Sequence, residues 1–398
     1  MTISYSTDIA IFGGGIAGLW LLKRLRLEGY QAILFETGSL GGGQTLASQG
    51  IIHGGLKYAL SGSLTPAANI IAGMPQRWRQ CLQGEGEMDL SGVEVLSDHY
   101  YMWSESSFRS KLKTFLGSKS LVGRVSQLSK AEQPAFFAEA SVNGSLYQLP
   151  DFVVNTDSLL AKLVAGEEEH IFKLGDQQPR FVRDDNGNIG TIEIDSAAGT
   201  VRIDTQRTVL CAGEGNAALI RACGLSGVGA QTRPLNMVYL KKRDLPRIFV
   251  HCIGNDFGLT PRLTITSHLD AHGDTVWYLG GELAESGVGK SDVEQIAAAK
   301  KLMATYFPWL ALDDCRWHCF EINRAEANIN NNTRPDGAYL ATESQVIAAW
   351  PTKLTLTPAL ADMLVEQLRG DGLVTAASGC AALRQQLAAP AMASPRWD

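Results

Sequence analysis

A glycine-rich turn near the amino terminus constrains this chain more than any other feature of its sequence. An apolar run from Asp8 to Phe12 ends at Gly13-x-Gly15-x-x-Gly18, and leucines three residues apart follow directly. Short apolar runs are typical of buried parallel strands, and the leucine spacing predicts a helix. In such a turn the first glycine permits the bend, the second lets backbone approach a ligand, and the third allows close packing of helix and strand. The segment therefore predicts the start of a Rossmann-like domain.

An acidic residue follows the next predicted strand. We predict that strand over residues 31–35, and Glu36 comes directly after it, about 20 residues past the glycines. The N–H groups at the start of a helix attract phosphates, and Glu36 is placed to accept hydrogen bonds from a ribose. Because strand, helix, second strand and acid occur in order, the pattern predicts a bound adenine dinucleotide. A glycine turn with a purely structural use is the alternative.

A second glycine-rich segment helps to distinguish between dinucleotides. A nicotinamide-binding domain would continue with another helix and strand, whereas residues 38–43 contain four glycines. Glycine at this density is too flexible for the interior of a helix. Two more glycines, Gly54 and Gly55, lie beside His53, and this arrangement indicates backbone lying against a flat ligand.

This region resembles a known superfamily of flavoenzymes. Ser48 to Tyr58 resembles the segment of FAD-dependent glycerol-3-phosphate dehydrogenases that begins with serine and contains I-H-G-G-L-x-Y. Gln44-Thr45 with residues 50–55 is similar to L-2-hydroxyglutarate dehydrogenases. Both belong to the glycine oxidase/D-amino acid oxidase superfamily, the second structural class that resembles glutathione reductase. The resemblance implies FAD as the cofactor, with this segment along the ribityl chain and the isoalloxazine ring. It also implies a substrate domain built on a mixed or antiparallel sheet.

Three later segments resemble further motifs of that superfamily. An apolar run that ends in Ala212-Gly213 resembles the second flavin-domain motif, in which small residues let backbone pass close to the dinucleotide. Arg334, followed by proline, resembles the arginine that grips the substrate's carboxylate. Residues 353–355 resemble the K-L-T stretch that closes the flavin site in glycerol-3-phosphate dehydrogenases, although residues 351–352 are Pro-Thr where those enzymes have glycines.

The resemblance implies a set of cofactor-binding residues drawn from both glycine segments, the second flavin motif and the lysine segment. These are Gly13, Gly15, Ile16, Ala17, Gly18, Glu36, Thr37, Gly43, Gln44, Thr45, Ser48, Gln49, Gly50, Ala212, Gly213, Lys353, Leu354 and Thr355. We predict no metal site. Cys315, His318 and Cys319 are at helical spacing but lack a second pair of ligands, so we expect them to be core or surface residues.

Three residues are candidates for the chemistry. Oxidation of an alcohol or amine by flavin moves a hydride from the substrate carbon to flavin N5 and a proton to a base. Arg334 is predicted to orient an anionic group, and Lys353 to stabilise the flavin edge that becomes negative on reduction. His53 is the leading base because imidazole titrates near neutral pH, and His251 is the second choice. The same pocket is expected to include Gln49, Lys57 and Tyr58.

We therefore expect an FAD-dependent dehydrogenase or oxidase that acts on a small anionic alcohol, such as a 2-hydroxy acid or a polyol phosphate. Amine or amino-acid oxidation is the alternative within the superfamily. A flavin-binding redox module without catalysis is the alternative of another class, since fold alone does not imply function. For the individual residues, the alternatives are a loop histidine at His53, a surface ion pair at Arg334 and an exposed lysine at Lys353.

The chain of 398 residues is long enough for two domains. We assign residues 1–84, 149–228 and 332–398 to an α/β FAD-binding domain of the Rossmann-like, glutathione reductase type. Residues 85–148 and 229–331 form the α+β substrate domain. In the second of these ranges, Ser291 and Glu294 form a capping box, which predicts a covering helix that stops before Pro308.

Charge and hydropathy limit the partners. The net charge is −6 and no long basic run is present, which makes nucleic-acid binding an unfavourable interpretation. No apolar stretch reaches the ~18–20 residues of a membrane-spanning helix. The amino terminus lacks the basic region of a signal peptide, and seven cysteines do not form a recognisable disulfide framework. We expect a cytoplasmic protein, a monomer or small homo-oligomer, whose partner is a small anionic molecule.

Overall fold

The structure is a computed structural model, and it describes residues 2–55, 65–105, 125–138, 144–175, 178–196, 199–254, 260–329, 333–375 and 381–398. The helices in these ranges are α1 (Ile16–Leu27), α2 (Pro66–Leu82), α3 (Ala135–Ala138), α4 (Thr156–Val164), α5 (Asn216–Ala222), α6 (Glu282–Glu285), α7 (Asp292–Tyr306), α8 (Thr357–Gly370) and α9 (Ala381–Arg384). Within these ranges, no helix combines the length and the apolar composition needed to cross a membrane.

The strands of the described ranges form three sheets. They are β1 (Thr2–Phe12), β2 (Ala32–Glu36), β3 (Ile51–Ile52), β4 (Val95–Ser97), β5 (Tyr100–Glu105), β6 (Ser126–Gln127), β7 (Gly144–Leu149), β8 (Phe152–Val154), β9 (Ile171–Lys173), β10 (Arg180–Arg183), β11 (Ile189–Ser196), β12 (Gly199–Leu210), β13 (Gly229–Lys242), β14 (Val250–Ile253), β15 (Leu263–Leu269), β16 (Thr275–Gly280), β17 (Arg316–Asn328), β18 (Tyr339–Glu343) and β19 (Val346–Trp350).

The first sheet has a parallel centre in the order β19-β12-β1-β2-β9. The hairpin β10–β11 pairs antiparallel with the first half of β12, and β18 pairs antiparallel with β19. The predicted strand–helix–strand unit is confirmed, but β1 begins at Thr2 rather than at Asp8. It is longer because β12 pairs with it from Thr2 to Phe12.

Helices α1 and α8 cover this parallel sheet on one side. Leu19, Leu22 and Leu25 of α1 are fully buried, as their spacing predicts, and they belong to one core with Leu364 and Leu368 of α8. The carboxyl ends of β1, β2 and β12 therefore meet at the start of α1. In open parallel sheets this is the edge at which ligands bind.

The second sheet has the order β17-β13-β16-β15-β14-β5-β7-β6 and is antiparallel apart from the β14–β5 pair. Helix α7 packs on one face of it, where Ala299 and Met303 are buried with Val238 and Trp277. The capping box of Ser291 and Glu294 is present at the start of α7. The expected mixed or antiparallel second domain is thus confirmed, and strands β5 to β7 add to it.

A small antiparallel sheet, β3-β8-β4, joins the loop around residue 53 to the first core. Met88 and Leu90 also pack in that core. The numerical domain boundaries stay a prediction. His318 and Cys319 lie in strand β17, not in a helix as their spacing suggested, so their side chains point to opposite faces of the sheet.

Candidate active site

The glycine turn at the start of α1 is packed against the second flavin-domain motif. Gly13 has φ +115°, and a Cβ there would lie 2.5 Å from Cα of Ala212. A Cβ on Gly18 would lie 1.8 Å from the carbonyl oxygen of Gly13. These positions therefore accept only glycine, and the close packing brings both predicted cofactor motifs to one edge of the sheet.

Polar side chains hold the two glycine segments together. Glu36 accepts hydrogen bonds from the N–H groups of Gly14 and Gly38, each at 2.6 Å. The Thr45 hydroxyl accepts the N–H of Ile16 at 2.9 Å, so it caps the first turn of α1. The carboxylate of Glu36 and the start of α1 thus face the same opening. Glu36 is placed for a ribose, and the start of α1 is placed for phosphate.

This opening is a cavity of about 620 Å³, within the range typical of small-molecule sites. Most of the predicted cofactor residues lie on its wall. They are Gly13, Gly15, Ile16, Ala17, Glu36, Gly43, Gln44, Thr45, Ser48, Ala212, Gly213, Lys353 and Leu354.

The other five predicted cofactor residues are not part of that wall. Gly18 packs inside the turn, and Thr37 is exposed after Glu36. The Gln49 amide donates to the carbonyl oxygen of Tyr278 at 2.9 Å, which ties its loop to the second sheet. Gly50 has φ +67° and packs against β8, and the Thr355 hydroxyl donates to the carbonyl oxygen of His53 at 3.2 Å. These residues position the loops, and their cofactor contacts stay a prediction.

Several wall residues were not predicted. They are Gly14, Gly38, Ser39, Gly41, Gly42, Cys211, Glu214, Ile322, Asn323, Ala325, Ala349, Trp350, Pro351, Thr352, Ala393, Ser394 and Arg396. The residues adjacent to the two glycine segments and to the lysine segment could have been predicted, because they flank the motifs in the sequence. Strand β17 and the carboxyl-terminal residues 393–396 carry no local pattern that points to a ligand.

The loop around His53 lies at the other end of the site, together with Lys353 and His251. Burial, then the charge of Lys353 and then His251, lower the pKa of His53 to about 3. Burial likewise lowers the pKa of His251 to about 3. Both imidazoles are therefore neutral at pH 7. Lys57 and Tyr58, which we expected beside them, lie outside the described residues.

Asp151 holds the same loop in place through a hydrogen bond. Its carboxylate accepts the N–H of Gly54 at 2.9 Å, and the residue is only 4% exposed. Burial raises the pKa of Asp151 to about 6, although the Gly54 N–H acts in the opposite direction. No ion pair of Asp151 is present among the described residues. Asp151 thus combines a structural hydrogen bond with a titration close to neutral pH.

Arg334 belongs to a group of charges on the second sheet. Glu326, whose side chain is 3% exposed, pairs with Arg233 through contacts of 2.7 and 2.6 Å. Arg334 lies 3.5 Å from the same carboxylate, and Arg324 lies 3.3 Å from Glu285. We call Arg233, Arg324 and Arg334 the arginine cluster. On β17, Ile322 and Arg324 lie on one face; Ile322, Asn323 and Ala325 line the cavity, whereas the three arginines are not among its described wall residues.

Thr352, just before Lys353, has a conformation that normally belongs to glycine. Its φ is +60°, which is an outlier for a β-branched residue. The Thr352 hydroxyl donates to the carbonyl oxygen of Gly337 at 3.0 Å, and this bond helps to hold the strained backbone. The Pro-Thr pair therefore makes the turn for which glycine is the usual residue.

Comparison with known proteins identifies the family. The DAO family model, FAD dependent oxidoreductase, matches residues 8–367. The probable FAD-dependent oxidoreductase PA4991 of Pseudomonas aeruginosa is 42% identical over 401 residues, which cover 100% of this chain and 99% of that protein. This chain belongs to the DAO family. It is therefore an enzyme of the FAD-dependent oxidoreductase class.

Solved structures of the DAO fold agree with this assignment. The crystal structure of PA4991 superposes with a TM-score of 0.84 at 37% identity, covering 100% of this chain and 99% of that one. Glycine oxidase from Geobacillus kaustophilus has a TM-score of 0.65 at 15% identity, with coverages of 94% and 96%. L-α-glycerophosphate oxidase from Mycoplasma pneumoniae has a TM-score of 0.64 at 13% identity, with coverages of 92% and 95%. The last two show the fold alone.

The described residues fit FAD, on which the DAO family depends. Gly13 and Gly15 bring backbone to the cavity wall, and Ile16 and Ala17 at the start of α1 also line it. The wall continues from Glu36 to Lys353, so one elongated cofactor can contact both ends. A closer kinship with glycerol-3-phosphate or L-2-hydroxyglutarate dehydrogenases stays a prediction.

Proposed function

We propose that this enzyme oxidises a small substrate that carries a carboxylate or phosphate, with FAD as the hydride acceptor. The observation that carries the proposal is the arginine cluster. Three guanidinium groups face Glu326 and Glu285, so positive charge is in excess. A guanidinium binds carboxylate or phosphate through a planar fork, and this geometry selects for such groups.

Arg324 is the least satisfied member of the cluster. Its Nε is buried and has no hydrogen-bond partner among the described residues. Burial and the neighbouring charge of Arg233 lower its pKa, against the opposite effect of Glu285 and Glu326. A buried donor without a partner costs about 1–3 kcal/mol, and a bound anion would remove that cost.

Arg334 supports the same interpretation. Both oxygens of Glu326 are bonded to Arg233, so the 3.5 Å contact with Arg334 is a long one. The side chain of Arg334 is 38% exposed. We propose that Arg334 and Arg324 bind the anionic group together, while Glu326 holds the cluster in place against the repulsion of its members.

The first candidate substrate is a 2-hydroxy acid or a polyol phosphate. Bound FAD supplies the acceptor for the hydride at N5, and the hydroxyl proton passes to a base as the alcohol becomes a carbonyl. Nδ1 of His53 accepts a hydrogen bond from the N–H of Gly55 at 3.2 Å. The neutral ring therefore carries its proton on Nε2, and this N–H is available to donate a hydrogen bond to a substrate. We therefore propose that His53 orients the substrate, and that His251 accepts the proton.

In this proposal, Thr264 fixes the tautomer of His251. The Nδ1 atom of His251 lies 2.9 Å from the Thr264 hydroxyl oxygen. If Nδ1–H donates to this oxygen, the lone pair of Nε2 is left to accept the substrate's proton. Lys353, whose positive charge reaches His53, would stabilise negative charge on the reduced cofactor.

Amino-acid or amine oxidation is the second candidate, and the two imidazoles favour it. A base with a pKa of about 3 is poorly matched to alcohol oxidation at neutral pH. A neutral amine loses a hydride with the help of its own nitrogen lone pair, so it needs no base during that step. The glycine and glycerophosphate oxidases that share the fold represent both chemistries, and their low identity does not choose between them.

An anaerobic substrate panel tests this proposal. Holoenzyme is mixed with lactate, malate, glycerol 3-phosphate, glycine and proline, and bleaching of the flavin absorbance is followed. We expect bleaching by at least one anionic compound and none by its uncharged analogue. Bleaching by uncharged alcohols or amines alone would refute the anion requirement. A rate lost in His251→Gln identifies an alcohol, whereas a retained rate identifies an amine.

Two arginine variants link the activity to the cluster. Arg324→Met and Arg334→Ala should each raise KM about 10- to 100-fold, because each removes a charge-assisted hydrogen bond. The flavin spectrum should not change. Arg316→Met is the matched control, since Arg316 lies on the same strand but pairs with Asp274 at the far end. An unchanged KM in both cluster variants would contradict the proposal.

The cytoplasmic location and the monomeric or small homo-oligomeric state stay predictions from the sequence. Size-exclusion chromatography with light scattering measures the second of these directly.

A further inference from the structure

The carboxyl-terminal residues 388–398, here called the strap, cross the cavity from one sheet to the other. On the side of the first sheet, the N–H of Leu40 donates to the carbonyl oxygen of Ala391 at 2.8 Å, and the N–H of Ala393 donates back to Leu40 at 3.0 Å. The N–H of Lys173 donates to Ala388 at 2.7 Å. The strap is therefore paired with the glycine-rich segment that follows β2.

The other end of the strap is anchored on the second sheet. The Lys241 ammonium donates to the carbonyl oxygen of Trp397 at 2.6 Å, and the Tyr239 hydroxyl donates to that of Arg396 at 3.2 Å. Trp397 is 4% exposed, with its ring 5.2 Å from Tyr278 and 4.8 Å from His268. Hydrogen bonds to the main chain fix the strap at both ends, so the residues between these two ends are held over the cavity.

Arg396 brings a guanidinium to the cavity wall from this strap. The other charged wall residues are Glu36, Glu214 and Lys353. Glu36 accepts two backbone N–H groups, Glu214 accepts the amide of Asn323 at 2.9 Å, and the charge of Lys353 acts on His53. Arg396 has no carboxylate partner among the described residues and lies 5.6 Å from the ring of Phe320.

We propose that Arg396 is the cation that pairs with the pyrophosphate of FAD, and that the strap retains the cofactor. The pyrophosphate carries two negative charges, whereas the glycine turn from Gly13 to Gly18 contains no basic residue. The start of α1 supplies N–H groups and the positive end of a dipole, worth about half a charge. A guanidinium on the opposite wall completes the neutralisation.

The course of the strap also explains how the guanidinium of Arg396 is brought to the cavity. Ala393 lies against Gly42, where a Cβ would come within 3.4 Å of it, so the strap touches the segment that follows Glu36. Three residues further on, Arg396 reaches the second sheet. Three residues of extended chain can span about 10 Å at most.

FAD and ADP binding test the proposal on the holoenzyme without measuring turnover. We would compare wild type, Arg396→Gln and Arg396→Lys by the rate of FAD release after dilution, followed as the fluorescence of free FAD, and by displacement of FAD with ADP. Arg221→Gln, a change of an exposed arginine at the end of α5, is the control for loss of one positive charge. ADP carries the pyrophosphate but no flavin, so it isolates the proposed contact.

We expect Arg396→Gln to weaken both FAD and ADP about 10- to 100-fold, as removal of one charge-assisted hydrogen bond requires. Arg396→Lys should recover part of this loss, and Arg221→Gln should match wild type. Trp397→Ala, which removes the anchor but not the charge, should speed FAD release. Unchanged binding of both nucleotides by Arg396→Gln would overturn the proposal. Weaker FAD with unchanged ADP would also overturn it, because the guanidinium would then contact the isoalloxazine.

Discussion

Asp151 provides a prediction whose size follows from the structure. Its pKa rises from an ordinary value of 3.8 to about 6 because the carboxyl group is buried. Between these two pH values the folded protein binds more protons at Asp151 than the unfolded chain does, so this residue lowers the free energy of unfolding as pH rises through that window. At about 1.4 kcal/mol per pH unit, the loss above pH 6 amounts to about 3 kcal/mol.

Asp151→Asn removes this titration and keeps an oxygen that can accept the Gly54 N–H. The variant should therefore gain stability over wild type as pH increases, by about 2–3 kcal/mol between pH 4 and pH 7.5. For a chain of this size that corresponds to about 3–4 °C in the thermal midpoint. The neutral histidines titrate in both proteins, so their contribution cancels in the difference.

Tryptophan fluorescence of holoenzyme, heated at one scan rate at both pH values, measures the midpoints. Asp185→Asn, in the exposed turn between β10 and β11, controls for the loss of one negative charge. The inferred burial cost of the carboxyl group would be refuted if the difference in thermal midpoint between Asp151→Asn and wild type were equal at both pH values, or if Asp151→Asn were the less stable protein at pH 7.5.

Two backbone positions yield further predictions. Gly13→Ala should yield protein without bound FAD, measured as flavin absorbance per chain, because the new Cβ would lie 2.5 Å from Cα of Ala212. Gly73→Ala is the control and should retain FAD, since no atom lies within 4 Å of its Cβ position. Normal flavin content in Gly13→Ala would be inconsistent with this packing. Thr352→Gly should leave the urea-unfolding free energy within about 1 kcal/mol of wild type, since relief of strain offsets the lost hydroxyl bond, while Thr352→Val keeps the strain and should cost about 1 kcal/mol or more. A larger loss in the glycine variant than in the valine variant would show that φ at position 352 is not strained.

The sequence predicted the cofactor end of the site because that end is built from backbone. Gly13, Gly15 and Gly18 are required by turns and close approaches, so the requirement is visible as spacing. Glu36 is found by its distance from them. The same reasoning reached the second flavin motif, since Gly13 packs directly on the backbone of Cys211 and Ala212.

Apart from Arg334, the proposed substrate end could not be predicted in this way. Arg233 lies opposite Arg324 only through the register of β13 and β17, and 90 residues separate the two in sequence. Arg396 reaches the cavity through pairing with Leu40 at the other end of the chain. No local periodicity encodes either contact, because long-range register is set by the packed sheet as a whole.

The two ends of the site therefore differ in how substitutions affect them. Cofactor contacts that depend on backbone should be lost when a side chain is added, as predicted for Gly13, where a Cβ would lie 2.5 Å from Cα of Ala212. The proposed substrate contacts in the arginine cluster would depend on charge balance, in which Glu326 compensates more than one guanidinium. Removing Glu326 would leave three guanidinium groups with Glu285 as their remaining carboxylate, whereas removing Arg324 takes away one positive charge that is paired with Glu285. If the proposal holds, loss of single arginines would change the specificity for anions without disturbing the glycine turn at the cofactor end, so substrate range could vary within a fold whose cofactor site is fixed.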